Sequence, residues 1–286
     1  LRHYYMRNVP TTGNPRSANW RQNYPKYLVS LLKAWYGDKA TKENEFGYSW
    51  VPKLDDGQDC TILNMIDKMF EKKIKGLTVI AQNPACSLPN ATKVREAMTN
   101  LEWMVHVNIF DNETASFWKG PGMNPKKIKT EVFLLPAAAS VEKAGSQTNS
   151  GRWVHWKYEA AKAPGDAIYT GDIVIRIVAK LKELYRMEKG AFPDPILNLK
   201  WDYTDSNGRF DPLKVAKAIN GHFLEDVTLG GTTYKKGDCV PSFGLLQDDG
   251  KTSSGCWIMS GAFTQDGTNQ MARRKKTDPT GLGLYP

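Results

Sequence analysis

Apolar residues between positions 59 and 101 recur in patterns that predict two helices and a strand. Over residues 59–73 they are spaced three or four apart, which predicts a helix with one buried face. That face comprises Ile62, Leu63, Ile66, Met69, Phe70 and Ile74. Gly76 ends the helix, and the short apolar run over 77–81 is typical of a buried strand. A second helix is predicted over 90–101, with Asn90 as its N-cap.

Two more strands follow along the chain, from Trp103 to Ile109 and from Val132 to Leu135, and Pro136 closes the second. The order helix, strand, helix, strand, strand predicts an α/β fold with an open, Rossmann-like parallel sheet that is part of a larger domain. Such sheets bind ligands beyond the carboxyl ends of their strands. The candidate site is therefore formed by the loops that follow the strands, at residues 82–84, 108–114 and 136–149.

Two further helices are predicted outside this sheet. One spans Tyr27 to Trp35 and ends at Gly37. The other spans residues 171–187, and its apolar face comprises Ile173, Val174, Ile177, Val178, Leu181, Leu184 and Tyr185. After Gly190 turn-forming residues dominate. The chain is thus predicted to have an irregular and helical lead-in over 1–57, an α/β part over 58–189 and a long, mostly irregular extension with short strands over 190–286.

Composition and charge place the chain among ordinary globular proteins with a basic surface. Of its 286 residues 41% are hydrophobic and 24% charged, and its formal net charge is +9. No apolar run has the roughly 20 residues that a membrane helix needs. A basic surface suits nucleic acid, an acidic protein or a phosphate-bearing cofactor. Lysine and arginine are spread along the chain between acidic residues, which is the weaker pattern for a nucleic-acid-binding module, although that alternative stays open.

Residues that could do chemistry themselves are scattered. Cysteines at 60, 86, 239 and 256 form no CxxC pair, and the histidines at 3, 106, 155 and 222 are equally dispersed, so we predict no metal ligand. No Walker loop, GxGxxG motif or catalytic triad is present, and no catalytic residue is predicted. We interpret the paired carboxylates Asp55-Asp56 and Asp248-Asp249, and the basic run Arg273-Arg274-Lys275-Lys276, as solvated turns. Because the first residue is Leu1 and no helix or strand closes the other end, we expect a segment of a longer chain.

Each candidate loop offers groups that suit a nucleotide. Gln82 and Asn83 present amides and backbone N–H groups after the first strand, although Asn-Pro is also a common turn pair. Asn108 ends the second strand, where an amide can read a purine edge or cap a helix. Lys143 and Arg152 bring positive charge to the third loop, which suits a phosphate but also an ordinary surface salt bridge.

The ordered set of loops resembles a known family. The stretches VIAQNPACSLPN, VNIFDNETA, VFLLPAAASVEKAGSQTNSGRWVHW and APGDAIYTGDI resemble the molybdopterin oxidoreductases (the DMSO reductase family) that hold two guanine dinucleotide pterins. Four features resemble the formate dehydrogenase branch of the exported, multi-subunit type, namely NWRQNYPKYLVSLLKAWYGD, EVFLLPAA with NSGRW, LKELYRMEKG and CWIMSGAFTQDGTNQMARRKKTDPTGLG. The resemblance extends over nearly all of the chain and identifies it as an internal piece of a large (alpha, catalytic) subunit.

This resemblance implies a function for the parent subunit. Formate would be oxidised to carbon dioxide at a bis-molybdopterin guanine dinucleotide that binds molybdenum or tungsten, and electrons would pass to iron–sulfur clusters. The selenocysteine or cysteine metal ligand and the [4Fe-4S] cysteines would lie outside this segment, which alone is expected to be inactive. Implied partners are the remaining domains of the large subunit, an iron–sulfur beta subunit and a cytochrome subunit, in the periplasm and in anaerobic respiration, with no nucleic acid and no membrane span in this segment. A reductase of nitrate or another oxyanion is the alternative within the family.

The family's cofactor contacts transfer to six positions of this sequence. The first loop matches at Gln82 and Asn83, and the strand end that meets the guanine side matches at Val107 and Asn108. The lysine matches Lys143, in a Val-Glu-Lys that is intact here. The acidic residue after the Pro-Gly pair matches Asp172, although this sequence is two residues longer there.

Overall fold

A computed structural model describes residues 1–8, 23–53, 57–151 and 153–273. The chain folds into two compact units. The sheet unit comprises Lys53–Lys143 and Glu159–Ile173, and the composite unit comprises Leu1–Pro52, Ala144–Tyr158 and Val174–Pro286. Three sequence features considered above lie outside the described residues, namely Asp55-Asp56, Arg152 and the Arg274-Lys275-Lys276 part of the basic run.

Within the composite unit, the stretch that contains α2 (Tyr24–Tyr36) packs against residues from the end of the described chain. The hydroxyls of Ser30 and Thr252 are hydrogen-bonded at 2.9 Å inside the composite unit. The rings of Tyr27 and Trp257 stack with their centroids 4.4 Å apart. Contacts between residues more than 200 positions apart cannot be read from local periodicity. The sequence patterns therefore did not show that these two stretches pack together.

The sheet unit alternates helices and strands as predicted. Its three strands are parallel and adjacent in the order β1-β2-β3, which confirms the predicted mixed α/β architecture with a parallel sheet. Short 3-10 turns lie at Phe117–Lys119, Pro125–Lys127 and Ser140–Glu142. The elements are α3 (Ile62–Phe70), β1 (Gly76–Ile80), α4 (Pro84–Ser87), α5 (Ala91–Met98), β2 (Trp103–Asn108), β3 (Glu131–Pro136) and the first turn of α6 (Thr170–Glu188).

One face of the sheet is covered by α3 and α5. Val79 and Met104 of the sheet pack with Ile66, Met69 and Met98 of the helices in the unit's main core. The predicted apolar face of α3 is therefore only partly buried. Its outer residues Ile62, Leu63 and Phe70 are exposed, because α3 meets the sheet and α5 only along the stripe that contains Ile66 and Met69.

The opposite face of the sheet is covered only in part. Ile173 of α6 packs against Val107 and Ala137 near the carboxyl ends of the strands. Elsewhere on this face Ile80, Trp103 and Phe133 remain 41%, 42% and 44% exposed. The Trp103 ring lies directly over Gly76, where a Cβ would collide with it. The sheet therefore presents an apolar surface to solvent on this side, although parallel sheets are normally covered on both faces.

The apolar face of α6 is buried only near its first turn. The helix forms at the predicted place, but within it only Ile173 is buried, and Ile177, Leu181 and Leu184 are exposed. Across the described ranges, no helix has both the length and the apolar content needed to cross a bilayer.

The composite unit is built from short elements around three small cores. Its helix α2 begins three residues before the predicted start and ends at Gly37, whose φ of 53° suits glycine. The strands pair antiparallel as β4-β5, β6-β9 and β7-β8. Its helices are α1 (Arg2–Asn8), α2 (Tyr24–Tyr36), α7 (Asp194–Leu197) and α8 (Pro212–Asn220), besides the remainder of α6. Its strands are β4 (Gly145–Thr148), β5 (Val154–Lys157), β6 (His222–Phe223), β7 (Val227–Leu229), β8 (Thr232–Tyr234) and β9 (Thr252–Ser253).

Candidate functional site

The carboxyl ends of the three strands lie side by side in the sheet unit. Ile80 of β1 pairs with Val107 of β2, and Val107 pairs with Leu135 of β3. Asn108 pairs with Pro136 one residue further on. The three candidate loops therefore begin at one edge of the sheet, which we call the carboxyl edge. All six residues expected at the site belong to this one unit.

Asn83, in the loop after β1, is bound on both sides of its amide. Its Oδ1 accepts hydrogen bonds from the backbone N–H of Thr114 at 3.1 Å and from the Thr114 hydroxyl at 2.8 Å. Its Nδ2 donates to Oε2 of Glu113 at 2.6 Å. Thr114 is fully buried, and its hydroxyl oxygen also accepts from the backbone N–H of Ala85 at 3.0 Å. The first loop is thus tied to the second through one buried threonine.

The backbone of Gln82 is held by a second pair of contacts. Its carbonyl oxygen accepts from Nδ2 of Asn112 at 3.4 Å and lies 3.3 Å from Nε2 of His106. His106 is a fully buried residue of β2, and among the described residues its Nδ1 has no hydrogen-bond partner. Since the Gln82 residue itself is exposed, its side-chain amide is presented to solvent at the carboxyl edge.

Val107 and Asn108 differ in what they offer to a ligand. Val107 is buried, and its carbonyl oxygen accepts from the N–H of Ala81 at 2.9 Å. Its side chain therefore contributes to the core and does not face solvent. Asn108 is half-buried, and its Oδ1 accepts from the N–H of Ile109 at 2.8 Å. That bond orients the amide so that its Nδ2 group is the donor left at the strand end.

Lys143 follows a 3-10 turn that its neighbour Glu142 stabilises. Oε2 of Glu142 accepts from the backbone N–H of Ala139 at 2.7 Å, and the Glu142 N–H donates back to the Ala139 carbonyl at 3.0 Å. These two bonds close the turn and fix where the chain leaves it. Lys143 is half-buried immediately after the turn.

Asp172 lies in the first turn of α6, next to the buried Ile173. Because Ile173 packs against Val107 and Ala137, the N-terminus of α6 is located near the carboxyl ends of β2 and β3. The N–H of Asp172 donates to the Tyr169 carbonyl at 2.9 Å. A helix N-terminus attracts anionic groups, and a carboxylate beside it can accept from N–H donors of a ligand.

Sequence reasoning missed four residues that organise the site: His106, Asn112, Glu113 and Thr114. A local signal existed for Asn112, whose Oδ1 accepts from the N–H groups of Thr114 and Ala115 at 3.1 Å each in an Asx-type turn. The roles of the others depend on partners 24 to 31 positions away. Hydrogen bonds from its own backbone N–H and from the Asn83 amide lower the pKa of the Glu113 carboxyl, which favours its charged form.

Comparisons with known proteins relate the chain to subunits of formate dehydrogenases. The sequence matches no protein-family model. It is 47% identical to the formate dehydrogenase subunit alpha of Megalodesulfovibrio gigas, over 99% of this chain and 28% of that protein. It is 44% identical to the formate dehydrogenase 2 subunit alpha (cytochrome c-553) of Nitratidesulfovibrio vulgaris, over 100% of this chain and 28% of that protein. The assimilatory nitrate reductase catalytic subunit of Bacillus subtilis is 30% identical, over 54% of this chain and 18% of that protein.

The fold and these relatives together define the class: an α/β segment homologous to the molybdopterin oxidoreductases, as the loop sequences indicated. Over nearly its whole length the chain is related, more specifically, to the large (alpha) subunits of formate dehydrogenases. The recognition made from the sequence is therefore confirmed. The chain spans about 28% of the length of these curated relatives.

Proposed function

We propose that this chain is part of the catalytic subunit of a formate dehydrogenase and forms one side of the binding site for a molybdopterin guanine dinucleotide. The parent reaction is the oxidation of formate to carbon dioxide, which releases one proton and two electrons. The observation that supports this proposal most strongly is the 44% and 47% identity to formate dehydrogenase alpha subunits over 100% and 99% of this chain. Similarity to nitrate reductases extends over only about half of the chain, which makes an oxyanion reductase the weaker alternative.

The residues at the carboxyl edge fit a dinucleotide. Such a ligand is polar and anionic, so it needs amide donors, a cation and backbone N–H groups. The exposed Gln82 amide, the Asn108 Nδ2 group and the Lys143 ammonium supply donors. The N-terminus of α6 lies near the carboxyl ends of β2 and β3, where its dipole favours an anionic group. Asp172 supplies an acceptor for the guanine N–H groups. Val107 belongs to the site through its place at the strand end, and Asn83 through its loop.

In this assignment the chain binds and orients, and the redox chemistry belongs to the cofactor. When bound, the pterin and its molybdenum or tungsten ion would supply the two-electron centre. The residues of the carboxyl edge would hold the guanine nucleotide in register with the rest of the subunit. We assign the [4Fe-4S] cluster, the selenocysteine or cysteine ligand and the substrate-binding groups to other parts of the subunit.

The half-open sheet supports a finer assignment of the fold. We infer that β1, β2 and β3 belong to a larger, open Rossmann-like sheet, completed by other parts of the large subunit. Ile80, Trp103 and Phe133 form an apolar surface that such a parallel sheet would cover with helices. We further infer an iron–sulfur beta subunit and a cytochrome subunit as partners, and a periplasmic location. These inferences rest on the resemblance to formate dehydrogenases of the exported, multi-subunit type.

The experiment that tests this function uses the full-length subunit, purified anaerobically with its partners. Mild acid hydrolysis should release GMP in a two-to-one ratio to molybdenum or tungsten, and the enzyme should reduce a viologen dye with formate as electron donor. Reduced dye should not be oxidised by nitrate at a comparable rate. Absence of GMP would contradict the cofactor assignment, whereas GMP release with nitrate reduction and no formate oxidation would favour the alternative.

A further inference from the structure

The hydrogen-bonding capacity of the Asn83 side chain is almost fully used inside the protein. A carboxamide has two acceptor lone pairs on Oδ1 and two N–H donors on Nδ2. Both Oδ1 positions are occupied by Thr114, at 3.1 Å from its backbone nitrogen and 2.8 Å from its hydroxyl. One Nδ2 hydrogen is donated to Glu113 at 2.6 Å. Three of the four bonds are thus made, which leaves this side chain little to give to a ligand.

Thr114 holds two points of the first loop with a single hydroxyl. The hydroxyl donates to Oδ1 of Asn83 and accepts from the N–H of Ala85 at 3.0 Å. Since Thr114 is fully buried, neither bond can be replaced by water without rearrangement. The first and second loops are therefore joined by a hydrogen bond between Asn83 and the buried Thr114, which are thirty-one positions apart in the chain.

The backbone carbonyl of Gln82 is held by contacts within the protein, whereas its side chain is exposed. Its carbonyl is held between Asn112 at 3.4 Å and His106 at 3.3 Å. The backbone on both sides of Asn83 is thus restrained while the Gln82 amide remains exposed. This division separates a residue that can touch a ligand from one that sets its position.

We propose that Asn83 and Thr114 are positioning residues, which lock the loops after β1 and β2 into one preformed surface, and that the Asn83 side chain does not itself bind the cofactor. This inference rests on the proposed dinucleotide site. Its physical basis is preorganisation: a loop that is already ordered loses less conformational freedom when a ligand binds. Asn83 then affects cofactor binding only through Thr114 and Glu113.

A double-mutant cycle tests this dependence in the full-length enzyme. The variants are Asn83→Ala, Thr114→Val and the two combined, with Thr114→Ser as the conservative variant that keeps the hydroxyl. The measured quantity is the rate of pterin release, followed by the fluorescence of the oxidised pterin. Each single variant should speed release about tenfold or more, since it leaves buried polar groups unsatisfied. The combined variant should release no faster than the faster single variant, and Thr114→Ser should stay within about twofold of the wild type.

A second cycle keeps the test decisive if Thr114→Val fails to fold. Glu113 is exposed, so Glu113→Ala should not disturb the core. Asn83→Ala and Glu113→Ala should again be less than additive, because each removes the same hydrogen bond. Fully additive effects in the cycles would mean that Asn83 contacts the cofactor directly, and would overturn the proposal.

Failure of this inference can be told apart from failure of the proposed function. If Lys143→Gln speeds pterin release while the Asn83 and Thr114 variants do not, the dinucleotide site stands and the positioning role is refuted. If none of these variants changes pterin release, the dinucleotide does not bind at the carboxyl edge, and both proposals fall.

Discussion

Ile173 at the start of α6 packs against Val107 at the end of β2. This contact links a helix N-terminus to the carboxyl ends of the parallel strands, and it lies one residue from Asp172 and one from Asn108. This apolar contact therefore helps to bring Asp172 to the strand end at which Asn108 lies. Because Ile173 is buried there, the segment that contains Asp172 reaches the same edge as the three loops.

Replacing Ile173 with alanine should loosen this edge. The substitution removes buried methyl groups and leaves a cavity, which typically costs about 2–5 kcal/mol. Hydrogen exchange of peptides that contain β2 should report this as a lower free energy of local opening. Val141→Ala is the matched control, because Val141 is an exposed apolar residue of the same unit. Equal exchange in both variants would show that Ile173 does not stabilise the strand ends.

The exposed face of the sheet should be protected in the full-length subunit. A cysteine introduced at Thr78, beside Ile80 on that face, should react with a maleimide at least tenfold more slowly than one introduced at Lys126. The reason is that a parallel sheet is normally covered on both sides. Peptide-resolved mass spectrometry separates these sites from the native cysteines. Comparable labelling of the two positions would contradict a larger, covered sheet.

The two loops should separate more easily in acid. Hydrogen bonds lower the folded-state pKa of Glu113 below its ordinary value of 4.5, so its contribution to stability is present above that value and lost as the pH falls through the lowered pKa. Pterin release from the wild type should therefore accelerate in this acid range. Glu113→Gln should flatten that part of the pH profile. An unchanged profile in the variant would exclude Glu113 as the titrating group.

Local sequence patterns were sufficient for the elements of the sheet but not for the links between them. The apolar runs at 77–81 and 132–135 predicted strands, and the alternation of helices and strands along the chain predicted that these strands are parallel and share a carboxyl edge. The contact between Asn83 and Thr114 could not be predicted, since it depends on how two loops meet. Periodicity also overestimated the burial of α3, whose Ile62, Leu63 and Phe70 are exposed. Periodicity identifies an apolar stripe on a helix, such as the one that contains Ile177, but does not show whether another part of the fold covers that stripe.

The rate of pterin release from two charge-neutralising variants tests the central claim most directly. Lys143→Gln and Asp172→Asn should each release pterin about tenfold or more faster from the full-length enzyme, because each removes a charge-assisted hydrogen bond to the dinucleotide. The controls are Lys126→Gln and Glu96→Gln, which change exposed residues of the sheet unit, in the 3-10 turn before β3 and in α5. We predict slow, wild-type release from both controls. Equal release from all four variants and the wild type would contradict a dinucleotide site at this edge.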